Sequence, residues 1–143
     1  MNTVLICRDA LEDSVLGNLA LARAVAGQGE QATVIFTGAA LDALADGTFE
    51  WSGNFRGRVA RQAIIARAEE QGLGLADGDR DPRWSDVRGF VRSLADEPGI
   101  RLVACPLWTQ FLGIEGEPEY LERITDGQLI ELINDADAVV GSY

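Results

Sequence analysis

The chain has 143 residues, 47% of them apolar and 24% charged, which suits one soluble domain with its own core. Twelve basic residues stand against twenty-three acidic ones, a formal net charge of −11, so the basic face that a general nucleic-acid binder needs is missing. There is no His, and every basic residue is Arg, which excludes Ser-His-Asp and Cys-His catalysis, His-ligated metals, a phosphate-loop lysine and Schiff-base or pyridoxal chemistry.

The N-terminal segment MNTVLICRDA lacks a basic region before its apolar residues and reads as a first strand, Val4 to Cys7, instead of a signal peptide. Asp13 and Ser14 are candidate caps for a helix from about Val15 to Ala26, with Val15, Leu19, Ala22 and Ala26 on one face and Gly27 and Gly29 ending it. Ala32 to Thr37 is a second strand. The strand–helix–strand unit predicts two parallel strands joined by a right-handed crossover. Gly38 to Asp46 reads as a short helix stopped at Gly47. A polar, aromatic stretch from Thr48 to Arg58 follows, then a helix from about Val59 to Gln71. Gly72 to Pro82 is a loop by composition.

Ser85 is the expected cap of the next helix, where Val87, Phe90, Val91 and Leu94 keep helical spacing. Pro98 and Gly99 break it. Ile100 to Ala104 is an apolar run followed by Cys105 and Pro106, the pattern of a buried strand that turns directly into a helix. Beyond the loop Glu115 to Pro118, Tyr120 to Ile124 reads as a short strand. Thr125 and Gln128 have capping-box spacing for a helix over Leu129, Ile130, Leu132, Ile133 and Ala136. Ala138 to Gly141 closes the chain as a strand. Alternating strands and helices predict an α/β fold: a single-domain, three-layer sandwich over residues 1–143 with a mostly parallel sheet of about five strands. No apolar run reaches the ~20 residues of a membrane helix. The expectation is a cytoplasmic chain with reduced thiols, no metal and no cofactor.

Cys105 is the first candidate for chemistry. At a strand's carboxyl end and a helix N-terminus, free N–H groups and the helix dipole favour a thiolate. The competing reading is a small buried hydrophobe. Cys7 also ends a strand, and core packing is its simpler role. Were the first and third main strands to flank the point where strand order reverses, both thiols would end there, and Cys7 would be a second thiol able to resolve an oxidised Cys105. That arrangement needs Cα atoms within about 7 Å. Arg56, Arg58, Arg61 and Arg67 lie in a stretch, Trp51 to Ala68, without acidic residues. They suggest either a site for an anion such as sulfite, thiosulfate or a phosphate group, with Arg56, Arg58 and Arg61 as its core, or pairing with acidic residues of another subunit. Asp77, Asp79 and Asp81 imitate the start of a calcium loop, but Pro82 and Arg88 occupy the positions that require Gly and Glu.

The segment RLVACPLWTQFLGI resembles the signature of the DsrE/DsrF-like family, which includes TusD-type sulfur-relay proteins. The similarity extends to ITDGQLIELINDADAVVGSY and to the first strand–helix–strand unit, with Cys105, Gly113, Ile114, Gly127 and Asp137 as its specific residues. The resemblance implies a DsrE-like α/β fold, a homo-oligomer (trimer or hexamer), sulfur donor and acceptor proteins as partners, and a persulfide carried on Cys105. Sulfur would then move by thiolate attack, as in thiol–disulfide exchange. Two alternatives stand beside this sulfurtransferase reading: an oligomeric binding module with Cys105 buried, and a redox sensor that pairs Cys7 with Cys105. The stretch from Thr48 to Arg83 departs from the relay proteins. So do Pro106, Leu107 and Trp108, which crowd the thiol.

Overall fold

Strands β1 (Asn2–Cys7) and β2 (Gln31–Phe36) are joined by helix α1 (Glu12–Gly27) and pair in parallel, Asn2 opposite Gln31 through Cys7 opposite Phe36. These strands are near-continuous apolar runs because both faces of a parallel sheet are covered by helices. The computed structural model describes residues 1–77 and 81–141. After β2 come α2 (Gly38–Ala45), a 3₁₀ turn at Gly53–Phe55 and α3 (Arg58–Glu70). Next are the short strands β3 (Ala76–Asp77) and β4 (Asp81–Ser85), then α4 (Val87–Leu94) and β5 (Ile100–Ala104). The chain finishes with α5 (Pro106–Phe111), β6 (Glu122–Arg123), α6 (Asp126–Asp135) and β7 (Ala138–Val140).

The main sheet has five parallel strands in the order β6-β5-β2-β1-β7. With helices on both faces, it is the expected three-layer α/β sandwich. The chain winds outward from β1 to β6 and then returns to the far side of β1. The reversal of strand order therefore lies between β1 and β7. The first and third main strands do not flank it, because β2 separates β1 from β5. In open α/β sheets the crevice beyond the strands' carboxyl ends near such a reversal is where ligands bind.

One face of the sheet is packed deeply. Leu5, Cys7, Val34, Phe36 and Leu102 meet Val15, Leu19 and Ala22 of α1 and all four apolar residues of α4. A fully buried side chain of this size contributes roughly 1.5–3 kcal/mol. Between α4 and β5, Gly99 adopts φ 84°, and a Cβ there would stand 3.1 Å from the Glu30 carbonyl oxygen. Only Gly makes that turn without strain. The opposite face buries Val4, Ile35, Val103 and Cys105, with Ile6, Ile124, Leu129 and Ala136 partly buried against them.

Three local expectations need correction. Ser85 does not cap α4. It ends β4, and Asp86 is the cap, accepting from the Gly89 N–H at 3.0 Å. Gly72 to Pro82 is not all loop, since β3 and β4 pair antiparallel, Ala76 opposite Ser85. Its Gly, Asp and Pro content hid a strand pair too short to show alternation. Asp79 of the calcium-like run lies outside the described residues. Asp13 and Ser14 do not cap α1 either. Leu11 precedes the helix without a side-chain cap, and Asp13 accepts from the Ser52 N–H at 2.8 Å instead. The capping box of α6 forms as expected, Thr125 and Gln128 bonding reciprocally at 3.2 and 2.9 Å.

Candidate functional site

Cys105 stands at the end of β5 as the residue before α5, with Pro106 opening the helix. Its N–H donates to the Phe36 carbonyl at 2.9 Å, and its own carbonyl accepts from the Thr109 N–H and hydroxyl at 2.9 and 2.8 Å. The backbone on both sides is thus fixed. The residue is 5% exposed and packs among Val4, Ile35 and Val103. Just beyond it Leu107 and Trp108 stand partly open to solvent, and Phe111, 71% exposed, meets Trp108 edge to face with ring centroids 5.5 Å apart.

Cys7 is fully buried on the other face, within the core that α1 and α4 cover. Burial pushes its thiol up to about 12, with the nearby Asp9 charge adding to the effect. Cys7 pairs across the strands with Phe36, and Phe36 with Ala104. Two strand spacings, about 10 Å, therefore lie between the backbones of Cys7 and Cys105. That exceeds disulfide reach, and the side chains are held in cores on opposite faces of the sheet. The Cys7–Cys105 redox pair is ruled out within one chain.

The arginine stretch divides. Arg56 and Arg61 line a cavity of about 430 Å³ together with Glu12, Phe49, Glu50, Trp51 and Ser85. Arg58, at the exposed start of α3, and the exposed Arg67 near its end do not line it. The cavity lies beyond the carboxyl end of β1, where the chain passes into α1. Glu12 opens that helix, and its N–H donates to the Glu50 carbonyl at 2.8 Å, while the Glu50 N–H donates to Ala10 at 3.1 Å. This exchange is a short parallel bridge between Leu11 and Glu50. With Asp13 holding Ser52, it pins the 49–52 loop against the first turn of α1.

Glu12 is the most elaborately held group there. The Ser85 hydroxyl hydrogen-bonds to its carboxylate, and the Trp51 side chain lines the same cavity. Burial raises its pKa above the usual carboxylate value. The Ser85 bond, the Arg61 charge and the Trp51 side chain each offset part of that rise, and Asp13 adds slightly to it. Raised carboxyl pKa values gather at clefts that do chemistry. Arg56 pairs loosely with Glu50 at 3.9 Å, both side chains being exposed, a contact worth little by itself.

Sequence reasoning identified Arg56 and Arg61, with Trp51 close by in the same stretch, but not Glu12 or Ser85. The spacing between Glu12 and Ser85 carries no local signal, because tertiary packing alone brings them together. Among the described residues, no group of three or more Cys, Asp or Glu is placed to hold a metal ion, and no helix is long and apolar enough to cross a membrane. No protein-family model matches the chain, and no curated protein matches it.

Proposed function

We propose that this chain is an oligomeric binding module for a small anion, working in the cytoplasm. The observation that carries the reading is the convergence of Arg56 and Arg61 on one cavity beyond β1, in a chain whose net charge would otherwise repel anions. Guanidinium groups present planar forks of donors suited to carboxylate, sulfite or phosphate oxygens. The volume falls within the usual range for small-molecule sites. Self-association, as a trimer or hexamer, is supported by the exposed apolar residues of α5 and α6, among them Phe111 and Ile130. Thermal unfolding in rising inorganic phosphate tests the anion site. The midpoint should climb with ligand, and the double variant Arg56→Gln, Arg61→Gln should lose the response. An unchanged midpoint in the wild type refutes the reading.

A second reading is favoured by Cys105, which closes β5 at the start of α5, the helix that carries the partly exposed Leu107 and Trp108. As a sulfur carrier, its thiolate would attack the outer sulfur of a donor persulfide. A new S–S bond forms on Cys105, the donor's S–S bond breaks, and the donor leaves as a thiolate. At 5% exposure the thiol reaches a donor only when the side chains packed around it, Ile124, Leu129 and Ala136 among them, move aside. Intact mass after incubation with a persulfide donor should gain one sulfur on Cys105. Absence of that adduct, with Cys105 inert to native thiol titration, leaves the binding module standing alone.

A further inference from the structure

An anion site explains the two arginines of the cavity but not its two carboxylates. Arg56 and Arg61 are matched there by Glu12 and Glu50, so the lining is charge-balanced although the chain carries −11 overall. A cradle for a simple oxyanion gains nothing from carboxylates beside it, since like charges in one site repel. A ligand with charge of both signs uses all four groups.

Glu12 is not a loose surface group that happens to lie nearby, whereas the Glu50 side chain is exposed and only its backbone is fixed. Glu12 is held through its side chain by the Ser85 hydroxyl. The backbones of Glu12 and Glu50 are locked together through the 2.8 Å and 3.1 Å bonds of the Leu11–Glu50 bridge. A site fixed before binding spends less of its interaction energy on ordering itself. Trp51 is almost fully buried and Phe49 half-buried, so the cavity also has a rigid aromatic side. Such a surface suits an aromatic ring in offset or edge-to-face contact.

We propose that this cavity takes a small zwitterion of the aromatic amino-acid type, its oxyanion on Arg56 and Arg61, its ammonium group on Glu12 and Glu50, and its ring against Phe49 and Trp51. The inference rests on the anion reading of the same cavity and adds the ligand's second charge and its apolar part. Hydrogen bonds to charged groups are the stronger kind, so removing the ammonium group lowers affinity by about tenfold or more.

Calorimetric titration of the full chain with three probes tests this: L-phenylalanine, 3-phenylpropanoate (the same ring and carboxylate without the ammonium group) and inorganic phosphate. The expected result is that phenylalanine binds at least about tenfold more tightly than 3-phenylpropanoate. Glu12→Gln should erase that preference while phosphate still binds, and Glu50→Gln should reduce it if Glu12→Gln does not fold. Equal binding of the two aromatic probes, or silence from phenylalanine while phosphate binds, overturns the zwitterion and leaves the anion site intact. A preference that survives in every folded Glu variant also overturns it. Silence from all three probes with folded protein overturns both readings.

Discussion

The two faces of the sheet each hold one cysteine and are covered by helices of similar pattern, yet they are built to different depths. On one face α4 places Val87, Phe90, Val91 and Leu94 at helical spacing, and all four are buried beside α1. On the other, α6 carries Leu129, Ile130, Leu132 and Ile133, of which Leu129, Leu132 and Ile133 repeat only the i, i+3, i+4 part of that spacing, and none is fully buried. Ile130 is 58% exposed. The periodicity of a helix tells which of its sides is apolar. It does not tell whether anything in the same chain covers that side. α6 packs against β1 with the six-residue α5 beside it, and the strands at the sheet's edges are only two and three residues long. Ordinary scattered surface apolars need no explanation, but the exposed Trp108–Phe111 pair on α5, with Ile130 also exposed on the neighbouring α6, does.

The largest effect expected from this contrast is on the deep face. Phe90→Ala should cost about 3–5 kcal/mol, the usual range for a buried Phe, read as a shift in the denaturant midpoint with unchanged slope. A cost under about 1 kcal/mol would mean the α4 face is not the packed core described. Next comes Cys7, in that same core. Its folded-state value near 12 lies above the ordinary 9.0, so the folded chain keeps the proton where the unfolded chain has lost it. Stability is complete below pH 9 and falls as pH rises toward 12. By pH 10.5 the loss reaches about 2 kcal/mol. Cys7→Ala should lower stability at pH 7, yet show a shallower decline above pH 9. Parallel declines in the two proteins would refute the buried-thiol account.

Much of this architecture was legible in the sequence, and the misses share a cause. β1, β2, β5 and the face of α4 follow from apolar runs and periodicity, which are local. The α6 capping box follows from two residues three apart. What stayed hidden depended on contacts between distant segments. Ser85 looks like a helix cap by its position before Val87, but its hydroxyl is taken by Glu12, and Asp86 is free to cap instead. Similarly, Cys7 and Cys105 both end strands, but β2 lies between those strands and the two thiols point to opposite faces of the sheet. The cavity shows both cases together. Arg56 and Arg61 were visible as a basic stretch, whereas Glu12 joins them only because residue 50 pairs with the segment that leads into α1.

On the thinly covered face the effects should be smaller and of another kind. Thr125→Ala removes one half of the α6 capping box and should cost about 1 kcal/mol, a drop of roughly 4 °C in the thermal midpoint. A smaller loss would show that α6 contributes little to the fold of the single chain.

Phe111→Asp should change the single chain's stability least of all, by no more than about 0.5 kcal/mol, as for an exposed site. Its expected consequence is on assembly. If copies of the chain cover α5 and α6, the wild-type midpoint rises with protein concentration, because association stabilises the folded state by mass action. The charged variant should unfold at one midpoint at every concentration, and light scattering should report a smaller particle. A second Asp at Ile130, on the neighbouring α6, should have the same effect if both residues share one interface. Two folded variants that assemble like the wild type would show that these apolar residues do not hold the oligomer together. Cys105 lies under this same face, so assembly bears on its chemistry as well: native thiol titration should slow further as concentration rises, while the fully buried Cys7 stays silent throughout. An assembled protein whose Cys105 reacts as fast as the dilute chain would separate the interface from the thiol.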